Sequence, residues 1–190
     1  MKVLTKASYS PEVTDRELEN MQVAYQAACE GMVLLKNDGA LPFKNKKVAL
    51  YGPGASMTIK GGTGSGEVNE RHSVTILEGL EDRGFEIVTK DWIADFEESY
   101  ANALAEYQEE KRKRVNILKL DTLMNMLKDD FRAPIGREIT REEVSADGTD
   151  TCIYVVSRQA GEGSDRRLST GDYELSKEEK DLSSQFTLLN

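Results

Sequence analysis

The sequence predicts an α/β fold: a three-layer sandwich with a mostly parallel sheet between helices, incomplete within these 190 residues and carrying a long helical insertion. Three observations predict it. Apolar runs at Lys47–Tyr51, Phe85–Val88 and Cys152–Val156 read as buried strands, and the last, rich in β-branched and aromatic residues, lacks alternation, as in a parallel sheet covered on both faces. Helix starts fall between and around these runs, at Thr14-Asp15-Arg16-Glu17, Thr140-Arg141-Glu142-Glu143 and Ser176-Lys177-Glu178-Glu179, each with the Ser/Thr-x-x-Glu spacing of a capping box. Glycine-rich segments follow the first and third runs, where the ligand loops of such sheets lie. Three strands fall short of the about five or six usual in open α/β sheets, so further strands are expected in residues beyond this sequence.

Residues 1–45 read as a lead-in helix and linker, and 46–190 as the partial sandwich domain, with the insertion at about 93–140. After an aperiodic start, the Thr14 cap opens a helix whose Leu18, Met21, Tyr25, Ala28 and Met32 recur every three or four residues. That stripe predicts packing against something large, with the helix ending near Asn37-Asp38-Gly39 before Pro42. The first strand, Lys47–Tyr51, runs into the turn Gly52-Pro53-Gly54. A short helix over Val74–Arg83 is stopped by Gly84, and the second strand follows. From Ile93 to about Asp130 the chain is charged and helix-favouring, with Phe96, Tyr100, Leu104 and Tyr107 as a sparse stripe. Leu118–Leu127 forms an apolar patch that needs a cover. Arg132–Gly136 reads as a loop, and the helix begun at Thr140 ends at Gly148.

Two loops hold the candidate chemistry. Lys60-Gly61-Gly62-Thr63-Gly64-Ser65-Gly66 packs four glycines into six residues, so its backbone either adopts unusual dihedrals or lies against a ligand. It matches neither the P-loop nor the dinucleotide fingerprint, and a plain surface loop is the alternative. Beyond the third strand, Glu162 stands between Gly161 and Gly163. Glycines there leave room for a substrate to approach the carboxylate. From this segment alone, a solvated Glu in a two-glycine turn is an equal reading.

Composition narrows the function classes. With 25 Lys and Arg against 34 Asp and Glu, the net charge of −9 opposes binding to nucleic acid or an anionic membrane surface. Lys111-Arg112-Lys113-Arg114 follows Glu109-Glu110 and reads as a solvated helix face. Cys29 and Cys152 suit reduced thiols, and with no membrane-length apolar run or signal peptide the expectation is a soluble cytoplasmic protein. A single histidine, His72, and no cysteine cluster leave no metal-ligand spacing and no need for a cofactor.

Taken together in order, Ala28–Asn37 through Leu41-Pro42-Phe43, Lys60–Gly66, Val74–Leu80 and Gly161-Glu162-Gly163-Ser164-Asp165-Arg166 resemble the landmarks of the α/β-sandwich domain of glycoside hydrolase family 3, which includes many β-glucosidases. Ile93–Thr140 matches poorly. The resemblance implies hydrolysis of terminal β-D-glucosyl residues with retention, the acid/base being Glu162 on this domain and the nucleophile an Asp on a separate (β/α)8 barrel. It implies that Ser65, with Gly64 and Lys60, contributes to the sugar subsite, and that Asp165 and Arg166 support the loop rather than react.

No segment resembles the barrel's nucleophile motif or its Lys-His pair. The chain is therefore expected to be a fragment that is inactive alone, from a member with the sandwich domain placed first. The expected partners are a β-glucoside or oligosaccharide substrate and the missing barrel, with self-association through sheet edges or the patch near Leu123. Two other classes stay open: a non-catalytic module binding a sugar or nucleotide in its glycine-rich loop, and an interaction protein that docks through the helical insertion.

Overall fold

The computed structural model describes residues 11–62, 66, 68, 70–114, 131, 133–140, 142–143, 148–161 and 166–181. The chain divides into two units, Met1–Pro42 and Phe43–Asn190.

In the first unit, α1 spans Asp15–Gly31 behind the expected cap. The Thr14 amide donates to Glu17 Oε2 at 3.1 Å, and the Glu17 amide donates back to Thr14 Oγ1 at 3.4 Å. Two expectations change here. The helix ends at Gly31, because Met32 already has extended dihedrals. The Asn37-Asp38-Gly39 turn closes on itself instead, with Asn37 Oδ1 accepting from the Gly39 and Leu41 amides at 3.2 and 3.1 Å. The apolar stripe is exposed rather than packed, Leu18, Met21, Tyr25 and Met32 each being more than half accessible, since among the described residues this unit offers α1 no second element to pack on.

The second unit holds a three-stranded sheet of order β2-β1-β3, parallel throughout. β1 is Lys47–Tyr51, β2 Glu86–Ile87 and β3 Cys152–Tyr154, with α2 (Ile76–Asp82) between β1 and β2 and α3 (Lys90–Arg114) between β2 and β3. The parallel α/β class read from the sequence is thus the observed one. Lys47 pairs with Glu86 and Val48 with Ile87, while Ala49, Leu50 and Tyr51 pair with Cys152, Ile153 and Tyr154. β1 is central, and Val48–Tyr51 are almost entirely buried.

The strand expected to be covered on both faces is β1 rather than β3. β3 is an edge strand of the described sheet, half-buried, and Val156 beyond it is exposed. β2 is short because a side chain takes over its ladder. The buried Thr89 hydroxyl accepts from the Leu50 amide at 2.9 Å and donates to the Leu50 carbonyl at 2.7 Å, carrying the pairing one step past Ile87.

α2 starts with a capping box not anticipated from the sequence. The Thr75 amide donates to Glu78 Oε2 at 2.8 Å and the Glu78 amide to Thr75 Oγ1 at 3.1 Å. The segment expected to be an insertion is part of the core at its first turns. Trp92, Ile93 and Phe96 of α3 are buried with β1 and Ile139, and the Trp92 ring stacks edge-on to Tyr51 and parallel to Phe96. The sparse stripe has its anchor in Trp92, whose Nε1 donates to the Arg137 carbonyl at 3.1 Å. Tyr100 and Tyr107 meet Phe131, and Arg137 bonds to Asp95 and Glu143. The Thr140–Glu143 box is present as expected, whereas the patch Leu118–Leu127 lies outside the described residues.

Candidate functional site

The site is assembled at the carboxyl ends of β1 and β3. Because these strands are adjacent and parallel, both glycine-bearing loops leave from the same end of the sheet. The Val155 amide donates to the Tyr51 carbonyl at 2.8 Å, and the Gly54 amide to the Val155 carbonyl at 3.3 Å, so pairing outlasts both strands. Gly52 makes this possible. Its φ is +94°, and an added Cβ would stand 2.5 Å from the Val155 carbonyl oxygen, so only glycine lets the chain turn this close to β3.

Beyond that junction the loops meet again. The Gln159 side-chain amide donates to the Gly61 carbonyl at 3.1 Å. Gly62 lies so close to the base of the other loop that a Cβ there would be 2.6 Å from the Ala160 oxygen. The glycine-rich segment therefore abuts the residues that lead into Glu162. Of the residues singled out in the sequence, Lys60 and Arg166 are described, and Ser65, Gly64, Glu162 and Asp165 lie outside the described residues. The Lys60 ammonium pairs with Glu70, which also accepts from the Ser73 hydroxyl, so Lys60 ties the two ends of the 61–69 segment together.

Arg166 has the corresponding place on the second loop. Its Nη1 donates to the Gln159 carbonyl at 2.7 Å, and Nη2 pairs with Asp172 Oδ1 at 2.5 Å, joining residues that flank Ala160–Asp165. Asp172 Oδ2 accepts from the Arg167 amide at 3.1 Å.

A second arginine, not singled out from the sequence, anchors the same assembly. Arg158 Nε donates to the Asp172 carbonyl at 2.8 Å, and Nη2 bonds to the carboxylate of Glu179. Glu179 is buried and belongs to the Ser176 capping box, accepting from the Ser176 amide at 2.7 Å. Burial pushes its carboxyl up, but Arg158 and the Ser176 amide together pull it further down, and the net position is below the ordinary value. Beside it, burial and then the Glu179 charge push the Tyr154 hydroxyl up to about 12, so it stays protonated. The sequence did carry a signal for this anchor. Ser176-x-x-Glu179 was legible as a helix start, but the second task of Glu179 depends on a contact across 21 positions.

The contacts of Arg158, Gln159 and Arg166 thus tie together the described residues on either side of 162–165. Comparison with known proteins places the chain in a family. The family model for the glycosyl hydrolase family 3 C-terminal domain matches residues 32–188. Beta-glucosidase A of Butyrivibrio fibrisolvens is 33% identical over 172 residues, covering 88% of this chain and 18% of that protein. A beta-glucosidase of Ruminococcus albus is 28% identical over 173 residues, covering 85% of this chain and 16% of that protein. Among solved structures, beta-glucosidase 3B from Thermotoga neapolitana in complex with alpha-D-glucose superposes with a TM-score of 0.63 at 32% identity, over 93% of this chain and 23% of that one. The chain thus spans about a fifth of the length of these relatives. Matched along most of its length in both sequence and fold, the chain belongs to glycosyl hydrolase family 3, in the region of its C-terminal domain.

Proposed function

We propose that this chain supplies the general acid/base, Glu162, and part of the sugar subsite of a retaining β-glycosidase of the β-glucosidase type. The nucleophilic carboxylate comes from a barrel domain outside these residues. The observation that carries the reading is the junction of the two loops. The base of the glycine-rich segment, at Gly61 and Gly62, rests on Gln159 and Ala160, which supports assigning residues of the two segments to one site.

A retaining hydrolase needs one carboxyl group that donates a proton to the departing oxygen. Roughly 5 to 5.5 Å away, it needs a second that is ionised and attacks the anomeric carbon. After the glycosyl–enzyme bond forms, the first group, now a carboxylate, takes a proton from water as the water displaces the nucleophile. Glu162, between two glycines on a loop tied at both ends, is the group assigned to the first role. Ser65 and Gly64 supply hydrogen-bonding groups for the sugar. Lys60, being paired with Glu70, serves by holding its loop.

The test has two arms. The 190-residue chain alone is expected not to turn over aryl β-glucosides, and turnover abolished by Glu162→Ala would mean that a complete site lies within it. In an enzyme where the chain is joined to a barrel, Glu162→Ala should suppress hydrolysis of alkyl glucosides by roughly 10²–10⁴-fold. The first step on a dinitrophenyl glucoside, whose leaving group needs no proton, should persist. Azide should accelerate the second step, since an anion needs no general base. An equal loss on both substrates with no azide effect would remove Glu162 from the acid/base role.

A further inference from the structure

Gln159 is used twice at the point where the loops meet. Its side-chain amide donates to the Gly61 carbonyl, 98 positions away, and its own carbonyl accepts from Arg166 across the neck of the Glu162 loop. One residue therefore touches the path of both loops, through main-chain oxygens on each. The neighbouring contact is steric, since Gly62 lies against the Ala160 oxygen with no room for a Cβ. Attraction at Gly61 and close approach at Gly62 together set the spacing of the two segments.

We propose that Gln159 is a positioning residue that registers the sugar-binding glycine loop against the acid/base loop, so that the sugar and the proton donor reach the scissile bond in a fixed relation. The proposal rests on the reading of Glu162 as acid/base, and it assigns to Gln159 no contact with substrate. The donor at position 159 is what matters, because the acceptor, a backbone carbonyl, is present whatever residue stands at 61. Gln159→Glu keeps size and shape but replaces the donor with an acceptor. Gln159→Lys restores a donor of similar reach.

The first measurement uses the chain itself, by hydrogen exchange read in peptides covering 61–66 and 160–166. Gln159→Glu should speed exchange in both peptides by about fivefold, the effect of losing one net hydrogen bond. Gln159→Lys should return both to within about twofold of the parent. Unchanged exchange at 61–66 in Gln159→Glu overturns the proposal. The second uses the barrel-joined enzyme. There Gln159→Glu should lower kcat/KM for alkyl glucosides about tenfold, with less than about a threefold loss in kcat/KM on dinitrophenyl glucosides, because kcat/KM reports the first step and misplacement of the donor matters there only where the leaving group needs a proton. An equal loss in kcat/KM on both substrates, unrelieved by Gln159→Lys, would show a merely structural role and overturn it. Glu162→Ala measured alongside separates the two ideas. If Glu162→Ala spares alkyl glucosides, the functional reading fails; if it abolishes their hydrolysis while Gln159→Glu changes nothing, only the coupling fails.

Discussion

Replacing Arg158 with alanine tests the anchor of the loop that carries Glu162 directly. In the parent chain the Glu179 carboxylate is 3% exposed and holds the Arg158 guanidinium and the Ser176 amide on one oxygen. Arg158→Ala leaves that buried charge to a backbone amide and also removes the bond to the Asp172 carbonyl. Breaking one side of a buried pair costs about 3–5 kcal/mol; because the Arg158 side chain is 24% exposed, solvent screening lowers the expected loss to about 2–3 kcal/mol. For a domain of this size that is a fall in melting temperature of roughly 5–10 °C. The loss should depend on pH. Glu179 ionises below its ordinary value of 4.5 in the folded chain, so its contribution is present above that pH and is lost as pH falls through the folded value. In the variant, burial acts without the guanidinium and the folded value rises. The gap between parent and variant should be full at pH 7 and narrow as the pH falls from the variant's raised folded value towards the parent's, which lies below 4.5. Melts from pH 7 to 3.5 read both features. A shift under about 2 °C at pH 7 or a gap constant to pH 3.5 would refute the assignment of Arg158 as the counter-charge.

Three other substitutions probe separate parts of the molecule. Thr89→Val should cost about 2 kcal/mol in urea unfolding, since it strips both hydrogen bonds from the buried Leu50 peptide groups, whereas Thr89→Ser should recover most of it. Gly62→Ala should lower turnover in the barrel-joined enzyme at least about tenfold, because the new Cβ, 2.6 Å from the Ala160 oxygen, forces the loops apart. Wild-type rates in Gly62→Ala would mean that the contact is not transmitted to the site. Tyr154→Phe should change stability by less than about 0.5 kcal/mol, since the buried hydroxyl has no hydrogen-bond partner among the described residues. A loss above about 1 kcal/mol would show that the hydroxyl is satisfied in solution.

What could be read from the sequence was local. Capping boxes at Thr14, Thr140 and Ser176 depend on residues three apart, and all three form. β1 was legible at its true limits because a short apolar run ending at a glycine turn has few other outcomes. Exposure was not legible in the same way. An apolar stripe shows that a helix can be covered, not that a partner lies in the same unit, and α1 has the stripe without the cover. The run at β3 has the composition of a central strand, yet strand order is set by crossover connections, which left β1 in the middle. Trp92 continues the α3 stripe four positions before Phe96, on which it stacks, but its burial depends on Tyr51 and the Arg137 carbonyl, each more than 40 positions away.

The same limit explains why the motif carrying Glu162 could be recognised while its support could not. A motif is contiguous, but what holds it is a set of contacts from Gly61, Asp172 and Glu179 to the flanks at Arg158, Gln159 and Arg166. Several of these end on backbone oxygens, at Gly61, Gln159 and Asp172, which any residue type provides. Among the described residues, closure of the loop neck is supplied from either side of 162–165. If the neck is held from outside in this way, a carboxylate at 162 can serve proton transfer, as proposed, without also holding the loop. A measurable consequence follows: Glu162→Ala should suppress hydrolysis of alkyl glucosides in the barrel-joined enzyme while leaving the melting temperature within about 2 °C of the parent. A large loss of stability would mean that Glu162 helps hold the loop and is not held by it.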